Sequence, residues 1–386
     1  MNSLGLEIFL SPDHGSTKLR LSGRIDHETS PSLSAAIESE AAGSVALDMS
    51  DCSFVSSAGL RVLLLAHQQL TRKGHKLSLL NVPPAIYPVF EVTGLDQLLH
   101  VERAPRMISL DGAELISSGA CGDCFRLDAE TVVKLYREGV EPGIAEKEKK
   151  YAKAALLLGL PTALSYDVVA CGARTGVVYE MIDAELFSAI IKDDPARTLE
   201  YGQMLSGIAK GVHSIKGDPA IFPRIKDQFV GYIGELGAFL PQSDVTFLHE
   251  QLQLIPESET CVHFDLHSSN IMIRRNEPII IDLGDLSIGS YLFDIGLVYM
   301  IYGLPELGFC EMVTKMPADQ GVRFCESFIS SYFADRPAQE YEFFHRNRFF
   351  LASLRAIYTV TFLPYLRPRM IDILRDILLP KMRAGL

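Results

Sequence analysis

A single acid on an apolar helical face constrains this chain more than any other feature. In the run Ile144-Ala-Glu-Lys-Glu148-Lys-Lys-Tyr-Ala-Lys-Ala-Ala-Leu-Leu-Leu158, the positions three, four, seven and eight after Glu148 are Tyr151, Ala152, Ala155 and Leu156. A helix here therefore buries Glu148. Glu146, by contrast, is followed at three and four by Lys149 and Lys150 and faces water. A carboxylate cannot be left unpaired in a core, so the fold must bring a cation to Glu148. Just upstream, the strand-like Thr131-Val-Val-Lys134-Leu-Tyr136 carries one basic residue inside an apolar run. Alone, Lys134 reads as an edge-strand charge; next to a buried Glu148 it is the natural partner.

A second group of polar residues lies far downstream. His263-Phe-Asp265-Leu-His267-Ser-Ser-Asn270 precedes the β-branched strand Ile279-Ile-Ile-Asp282. Asp265 is a candidate base, and Asn270 and Asp282 are candidate oxygen ligands for Mg²⁺, the groups that γ-phosphoryl transfer requires. A polar turn whose Asp and Asn satisfy backbone donors is the plainer reading of the same loop. Upstream of Lys134, Gly119 and Gly122 sit between β-like runs from Ala113 to Leu127. They could bend a hairpin over phosphates or simply form a glycine-rich turn. Glycine hairpin, strand Lys, helix Glu, H-x-D-x-x-x-x-N and I-D occur in one order, and the ordered set is far more specific than any member.

At 386 residues, two or three folding units are expected. The start Met1-Asn-Ser-Leu-Gly-Leu-Glu7 has no basic leader, and the long apolar stretches contain Asp294 and Arg355, so a soluble cytoplasmic protein without membrane contact is expected. A net charge of −12 argues against a nucleic-acid partner. The seven cysteines read as reduced thiols, and Cys121-Gly-Asp-Cys124 lacks a second metal-binding pair.

The first hundred residues have a different rhythm from the rest. Strands are expected at Leu6 to Leu10, Lys18 to Ile25 with Leu19 and Leu21 inward, Ser44 to Met49, and Lys76 to Val82 ending at Pro83-Pro84. Helices are expected at Pro31 to Ala42 and Ser57 to Arg72. This alternation predicts a small α/β layer domain.

The stretch Val45-Ala-Leu-Asp48-Met-Ser-Asp-Cys-Ser-Phe-Val-Ser56-Ser57-Ala-Gly-Leu60-Arg-Val-Leu-Leu resembles the STAS domain of anti-sigma-factor antagonists. The resemblance implies partner switching controlled by phosphorylation of a serine at the mouth of this helix. The acceptor position falls on Ser57, with Ser56 replacing the Asp usually found before it. A serine there can cap the helix, and the same free N–H groups and dipole can hold a phosphate.

Residues 105–386 resemble the aminoglycoside phosphotransferase and choline kinase branch of the protein-kinase-like fold, on His263-x-Asp265-Leu-His267-x-x-Asn270-Ile and Ile281-Asp282-Leu-Gly284. The expected architecture is an α/β STAS-like domain (1–104) followed by a two-lobed α+β kinase-like domain with a β-rich small lobe (about 105–182) and a helical large lobe (about 183–386). The likeness implies ATP and Mg²⁺ as cofactors, Asp265 as catalytic base, and Asn270 and Asp282 as metal ligands. It implies Gly119, Gly122, Lys134 and Glu148 around the phosphates. Val177-Val-Tyr-Glu180-Met-Ile182 resembles the linker between lobes, whose backbone at Glu180 and Ile182 would meet adenine. Asp294, in Ser290-Tyr-Leu-Phe-Asp294-Ile-Gly, would brace the loop; His263 and His213 read as structural. Asp294 follows Asp282 by twelve positions, too short an interval for the long activation segment of eukaryotic protein kinases.

The acceptor is the open question. Residues 341 to 386 carry eight Lys and Arg against three acids, which weakens a polycationic acceptor unless those charges form an outward face. ATP-dependent phosphorylation of a small alcohol, with the STAS domain regulatory and an anti-sigma-type protein as its partner, is the leading expectation. Phosphorylation of a STAS serine, Ser57 in cis or in another copy, is the alternative. A nucleotide-sensing pseudokinase is disfavoured by the presence of Lys134, Glu148, Asp265, Asn270 and Asp282 together.

Overall fold

The computed structural model describes residues 6–13, 16–40, 43–119, 121–141 and 143–385. They form two compact units, Met1–Ser109 with Asp167–Thr175, and Leu110–Tyr166 with Gly176–Leu386. No helix among the described residues is long and apolar enough to cross a membrane.

The first unit runs β1 (Leu6–Asp13), β2 (Ser16–Ile25), α1 (Ser30–Ser39), β3 (Ser44–Val55), α2 (Ser57–Arg72), β4 (Leu77–Val82), α3 (Tyr87–Thr93), β5 (His100–Arg103) and the short β6 (Arg106–Met107). Strands β1 to β5 lie side by side in chain order, antiparallel between β1 and β2 and parallel thereafter. Each parallel step needs a crossover, which the helices supply. Leu19 and Leu21 of β2 are buried as their alternation predicts, against Leu63, Ala66 and Leu70 from one stripe of α2. Gly59 lets α2 start close to β2, since a Cβ there would lie 2.8 Å from the Ile25 carbonyl oxygen. The helix expected at 31–42 ends at Ser39, and its positions 41 and 42 lie outside the described residues. Helix α3 and strand β5 were not anticipated. A seven-residue helix has too few turns to print a periodicity, although Pro88 at its start and Gly94 at its end, with φ 68°, are ordinary boundary signals.

The second unit begins with β7 (Glu114–Ser118), β8 (Gly122–Arg126), β9 (Thr131–Tyr136) and α4 (Gly143–Leu157); β10 (Ser165–Cys171) then falls mostly in the first unit and β11 (Arg174–Glu180) mostly in the second. Strands β7, β8, β9 and β11 pair antiparallel in that spatial order. The helical part follows, with β12 (Glu185–Leu186), α5 (Phe187–Asp193), α6 (Thr198–His213), α7 (Ile225–Glu235), α8 (Gln242–Leu254), β13 (Cys261–Val262), β14 (Ile271–Arg274), β15 (Glu277–Ile280) and β16 (Ser287–Ile288). It closes with α9 (Leu292–Val298), α10 (Phe309–Thr314), α11 (Ala318–Phe333), α12 (Ala338–Phe362), α13 (Arg367–Asp372) and α14 (Leu379–Arg383). Its core sets large aromatic side chains, among them Phe229, Phe264, Phe293, Tyr302 and Phe328, among a majority of aliphatic ones.

One hairpin does most to assemble the polar loop. Strands β14 and β15 turn at Arg275 and Asn276, with φ 52° and 68°, the left-handed pair of a tight hairpin turn. Register Ile271↔Ile280 carries Asn270 and Ile281 past each other, and the Ile281 N–H donates to the Asn270 carbonyl at 3.0 Å. Residues separated by the whole hairpin are thereby made neighbours.

Candidate active site

Glu148 is 1% exposed, and the cation its burial demands is Lys134. Lys134 Nζ donates to Glu148 Oε2 at 2.9 Å and Oε1 at 3.1 Å. Two donors that the sequence reading missed complete the cradle: Tyr179 OH donates to Glu148 Oε1 at 2.6 Å, and Tyr136 OH donates to Oε2. Both tyrosines sit in apolar strand runs, where a buried hydroxyl must find an acceptor. Lys134 also donates to Asp282 Oδ1 at 2.7 Å. Burial opposes the charge on Lys134, but Asp282 and Glu148 outweigh it and hold the ammonium well above its ordinary pKa. Burial and the negative charge of Glu148 raise Tyr179, so it remains a donor.

The loop between β13 and β14 is fixed from beneath by Asp294 of α9. Its carboxylate, fully buried, accepts the backbone N–H of His263 at 2.9 Å and of Phe264 at 2.6 Å. His213, at the end of α6, holds the same carboxylate at 2.9 Å through Nε2 and meets Tyr332 OH at 2.7 Å through Nδ1. Phe264 adopts φ 62°, a conformation that costs a non-glycine residue energy and persists because these bonds impose it. His263 Nδ1 accepts the Asp265 N–H at 3.2 Å, and its Nε2 donates to the Ile281 carbonyl at 3.1 Å, which ties the loop to the strand before Asp282. His263 and His213 thus hold structure.

Asp265 emerges from this frame with both carboxylate oxygens engaged. Asn270 Nδ2 donates to its Oδ2 at 3.1 Å and to its carbonyl at 2.9 Å. Arg355 Nη2, reaching in from α12, lies 2.9 Å from Oδ1, and His267 Nε2 lies 3.7 Å from the same atom. Burial would push Asp265 up, but Arg355 and then His267 outweigh it and hold the carboxyl well below the usual carboxylate range. Asp282 adopts φ 63° and is half-exposed, with Oδ1 on Lys134. Lys134, Glu148, Asp265, Asn270 and Asp282 are therefore linked through direct contacts and the β14–β15 hairpin.

The remaining expected residues are more peripheral. Gly119 donates its N–H to the Gly122 carbonyl at 2.8 Å across the β7–β8 turn; Ala120 lies outside the described residues. Gly122 is needed for packing, because a Cβ would come 2.2 Å from the Leu135 carbonyl oxygen, whereas Gly119 has room. Glu180 ends β11 with its N–H on the Leu164 carbonyl, and Met181 donates to the Glu130 carbonyl. Ile182 is buried just beyond.

Two readings change. Ser56, not Ser57, caps α2, its hydroxyl accepting the Gly59 N–H at 3.3 Å, and Ser57 is exposed at the first helical position. The basic C-terminal run is largely turned to partners within the protein: Arg355 to Asp265 and Asp285, Arg375 to Asp372 and Asp376, Lys381 to Glu306, and Arg383 to Asp244. Its positive excess says little about the charge of an acceptor.

Residues 112–311 match the profile described as the phosphotransferase enzyme family, over more than half of the chain. The chain belongs to that family. Residues 9–100 match the Mlab STAS domain, so this phosphotransferase-family protein carries an N-terminal STAS domain. An anti-sigma F factor antagonist of Paenibacillus polymyxa is 26% identical over 102 residues, 25% of this chain and 87% of that protein. Among solved structures, the apo form of a thermostable mutant of aminoglycoside phosphotransferase APH(4)-Ia aligns with TM-score 0.50 and 12% identity, over 71% of this chain and 94% of that one. At that identity the likeness is one of fold. The ADP-bound aminoglycoside phosphotransferase APH(2'')-Ib aligns with TM-score 0.47 and 18% identity, over 70% of this chain and 93% of that one.

Proposed function

We propose that this protein transfers the γ-phosphoryl group of ATP, with Mg²⁺, to a hydroxyl of a small molecule, under the influence of its STAS domain. The observation that carries the reading is the linked set of Asp265, Asn270, Asp282, Lys134 and Glu148. The donor set suits the metal: with its amide nitrogen engaged by Asp265, Asn270 keeps its oxygen for a cation, and Asp282 adds a carboxylate. Two hard oxygen ligands are what Mg²⁺ takes when it shares its remaining sites with phosphates and water. Bound there, the ion would neutralise charge on the β- and γ-phosphates.

The chain's own residues do the rest. Lys134, held by Glu148, reaches the phosphates with its position fixed by three oxygen partners. Asp265 accepts the acceptor's O–H and orients it; the hydroxyl oxygen bonds to the γ-phosphorus as the bond to the β,γ-bridging oxygen breaks. Because Arg355 makes Asp265 a weak base, the proton leaves late, as the new O–P bond forms. The β7–β8 turn with Gly119 and Gly122 would cover the phosphates. The Glu180 carbonyl and the Ile182 N–H would meet adenine; among the described residues no group accepts that N–H.

The test is Asp265→Ala in the full chain. Turnover of Mg-ATP, with acceptors drawn from a screen of small alcohols, should fall by about 10²- to 10⁴-fold while nucleotide affinity changes little. Unchanged turnover sinks the assignment. A second reading, phosphorylation of a STAS serine, is favoured by one observation: Ser56 takes the capping role and leaves the Ser57 hydroxyl exposed.

A further inference from the structure

Arg355 lies in the middle of α12, the longest helix described, inside an otherwise apolar stretch. Its side chain is only 18% exposed. The guanidinium makes three kinds of contact at once: Nη2 to Asp265 Oδ1 at 2.9 Å, Nη1 to the Phe264 carbonyl at 3.1 Å, and Nη1 to Asp285 Oδ2 at 3.2 Å. Tyr358, on the same face of α12, donates from its hydroxyl to Asp285 Oδ1 at 2.6 Å. The planar cation also lies against the rings of Tyr358 and Phe264, at 4.7 and 5.3 Å from their centroids.

Stability alone does not account for this arrangement. Two carboxylates and one guanidinium withdrawn from water lose more hydration than their attraction readily returns, and well-packed apolar replacements of such groups are often neutral or better. What the cluster does supply is geometry. A carboxylate at the end of Asp265 can turn about its last torsion, and Asn270 fixes only Oδ2. Arg355 fixes Oδ1, while Asp285 and Tyr358 stop the guanidinium from swinging away. The planar guanidinium does this from two nitrogens held rigidly in one plane, so its donors keep a fixed geometry that a single ammonium nitrogen on a flexible stem does not.

We propose that Arg355, braced by Asp285 and Tyr358, is the positioning residue that aims Asp265 at the acceptor hydroxyl. This rests on the phosphotransfer reading above. It assigns a C-terminal helix, distant in sequence from the loop, to the accuracy of the transfer step.

The experiment compares the full-length wild-type protein with Asp265→Ala, Arg355→Gln, Arg355→Lys and Tyr358→Phe, measuring steady-state Mg-ATP turnover and the affinity for a fluorescent ATP analogue. Arg355→Gln should lower kcat by about 10²-fold, the cost of a roughly ångström-scale misplacement, with nucleotide KM and Kd within about threefold of wild type. Arg355→Lys should restore roughly a tenth of the activity, and Tyr358→Phe, which keeps the ring, should lower kcat by about three- to tenfold. Should Asp265→Ala turn over normally, the phosphotransfer reading fails and the positioning role with it. Should Asp265→Ala be inactive while Arg355→Gln keeps kcat within about twofold of wild type, only the positioning role is overturned. If Arg355→Gln does not fold, as judged by circular dichroism, wild-type kcat in both Arg355→Lys and Tyr358→Phe overturns it instead.

Discussion

Lys134 Nζ lies 2.7 Å from Asp282 Oδ1 while holding both oxygens of Glu148, so one ammonium joins a strand of the small lobe, a helix beside it and the segment after β15. Removing it exposes the cost of the whole arrangement. Lys134→Met should destabilise the second unit by about 3 to 5 kcal/mol, because Glu148 is left buried without its cation. Lys134→Met combined with Glu148→Leu should recover part of that loss, since the stranded charge goes with its partner. Urea unfolding of the three proteins measures both; a loss below about 1 kcal/mol for Lys134→Met would show that Glu148 is satisfied without it.

Asp294 is a second buried acid, and like Glu148 it is held by three donor groups. Asp294→Ala strands the N–H groups of His263 and Phe264 and the Nε2 of His213. The expected cost is about 3 kcal/mol or more, with turnover lost because the left-handed Phe264 is no longer imposed. Asp294→Asn keeps an acceptor and should fall between. Equilibrium unfolding paired with turnover separates the two losses, and full activity in Asp294→Ala would contradict the bracing role.

At the mouth of α2 the two adjacent serines should behave oppositely. Ser56→Ala removes the cap and should cost about 1 kcal/mol, whereas Ser57→Ala should leave stability unchanged. If the STAS serine is the acceptor, incubation with Mg-ATP should add about 80 Da, in wild type and Ser56→Ala but not in Ser57→Ala. Intact mass and thermal melts read both effects. A mass gain that survives Ser57→Ala rules that serine out.

Acid should act on Asp265. Its carboxyl is held below the unfolded value, near 3.8, by Arg355 and His267 against the opposing effect of burial. The unfolded chain therefore binds this proton more readily than the folded one, so the stabilisation is complete above about pH 5 and declines as pH falls through 4 and below. Urea midpoints at pH 7 and pH 3.5 should differ less for Asp265→Asn than for wild type; an equal difference would mean that Asp265 is not held by its cation.

Much of the site was legible because its pattern is local. Glu148 could be assigned to a buried face from four neighbours on one helix, and its need for a cation followed from desolvation alone. Asp265 with Asn270, and the strand ending at Asp282, could be recognised from spacing, and the α/β character of the first hundred residues from alternation. Helix α3 was too short to show a period, and Ser56 and Ser57 could not be told apart as cap, since one residue of shift in the helix start decides it.

Tertiary structure alone decided who meets whom across long separations. The hairpin register brings Asn270 beside Ile281, and the folding of α12 over the loop sets Arg355 against Asp265. Arg355 carried the same signal as Glu148, a charge inside an apolar helical run that burial obliges to find a partner. The sequence determined that Glu148 must be paired within the protein; that Arg355, read there only as a charge in an apolar stretch and a basic run, would be paired, and that it would take Asp265, depended on packing between segments that no local period connects.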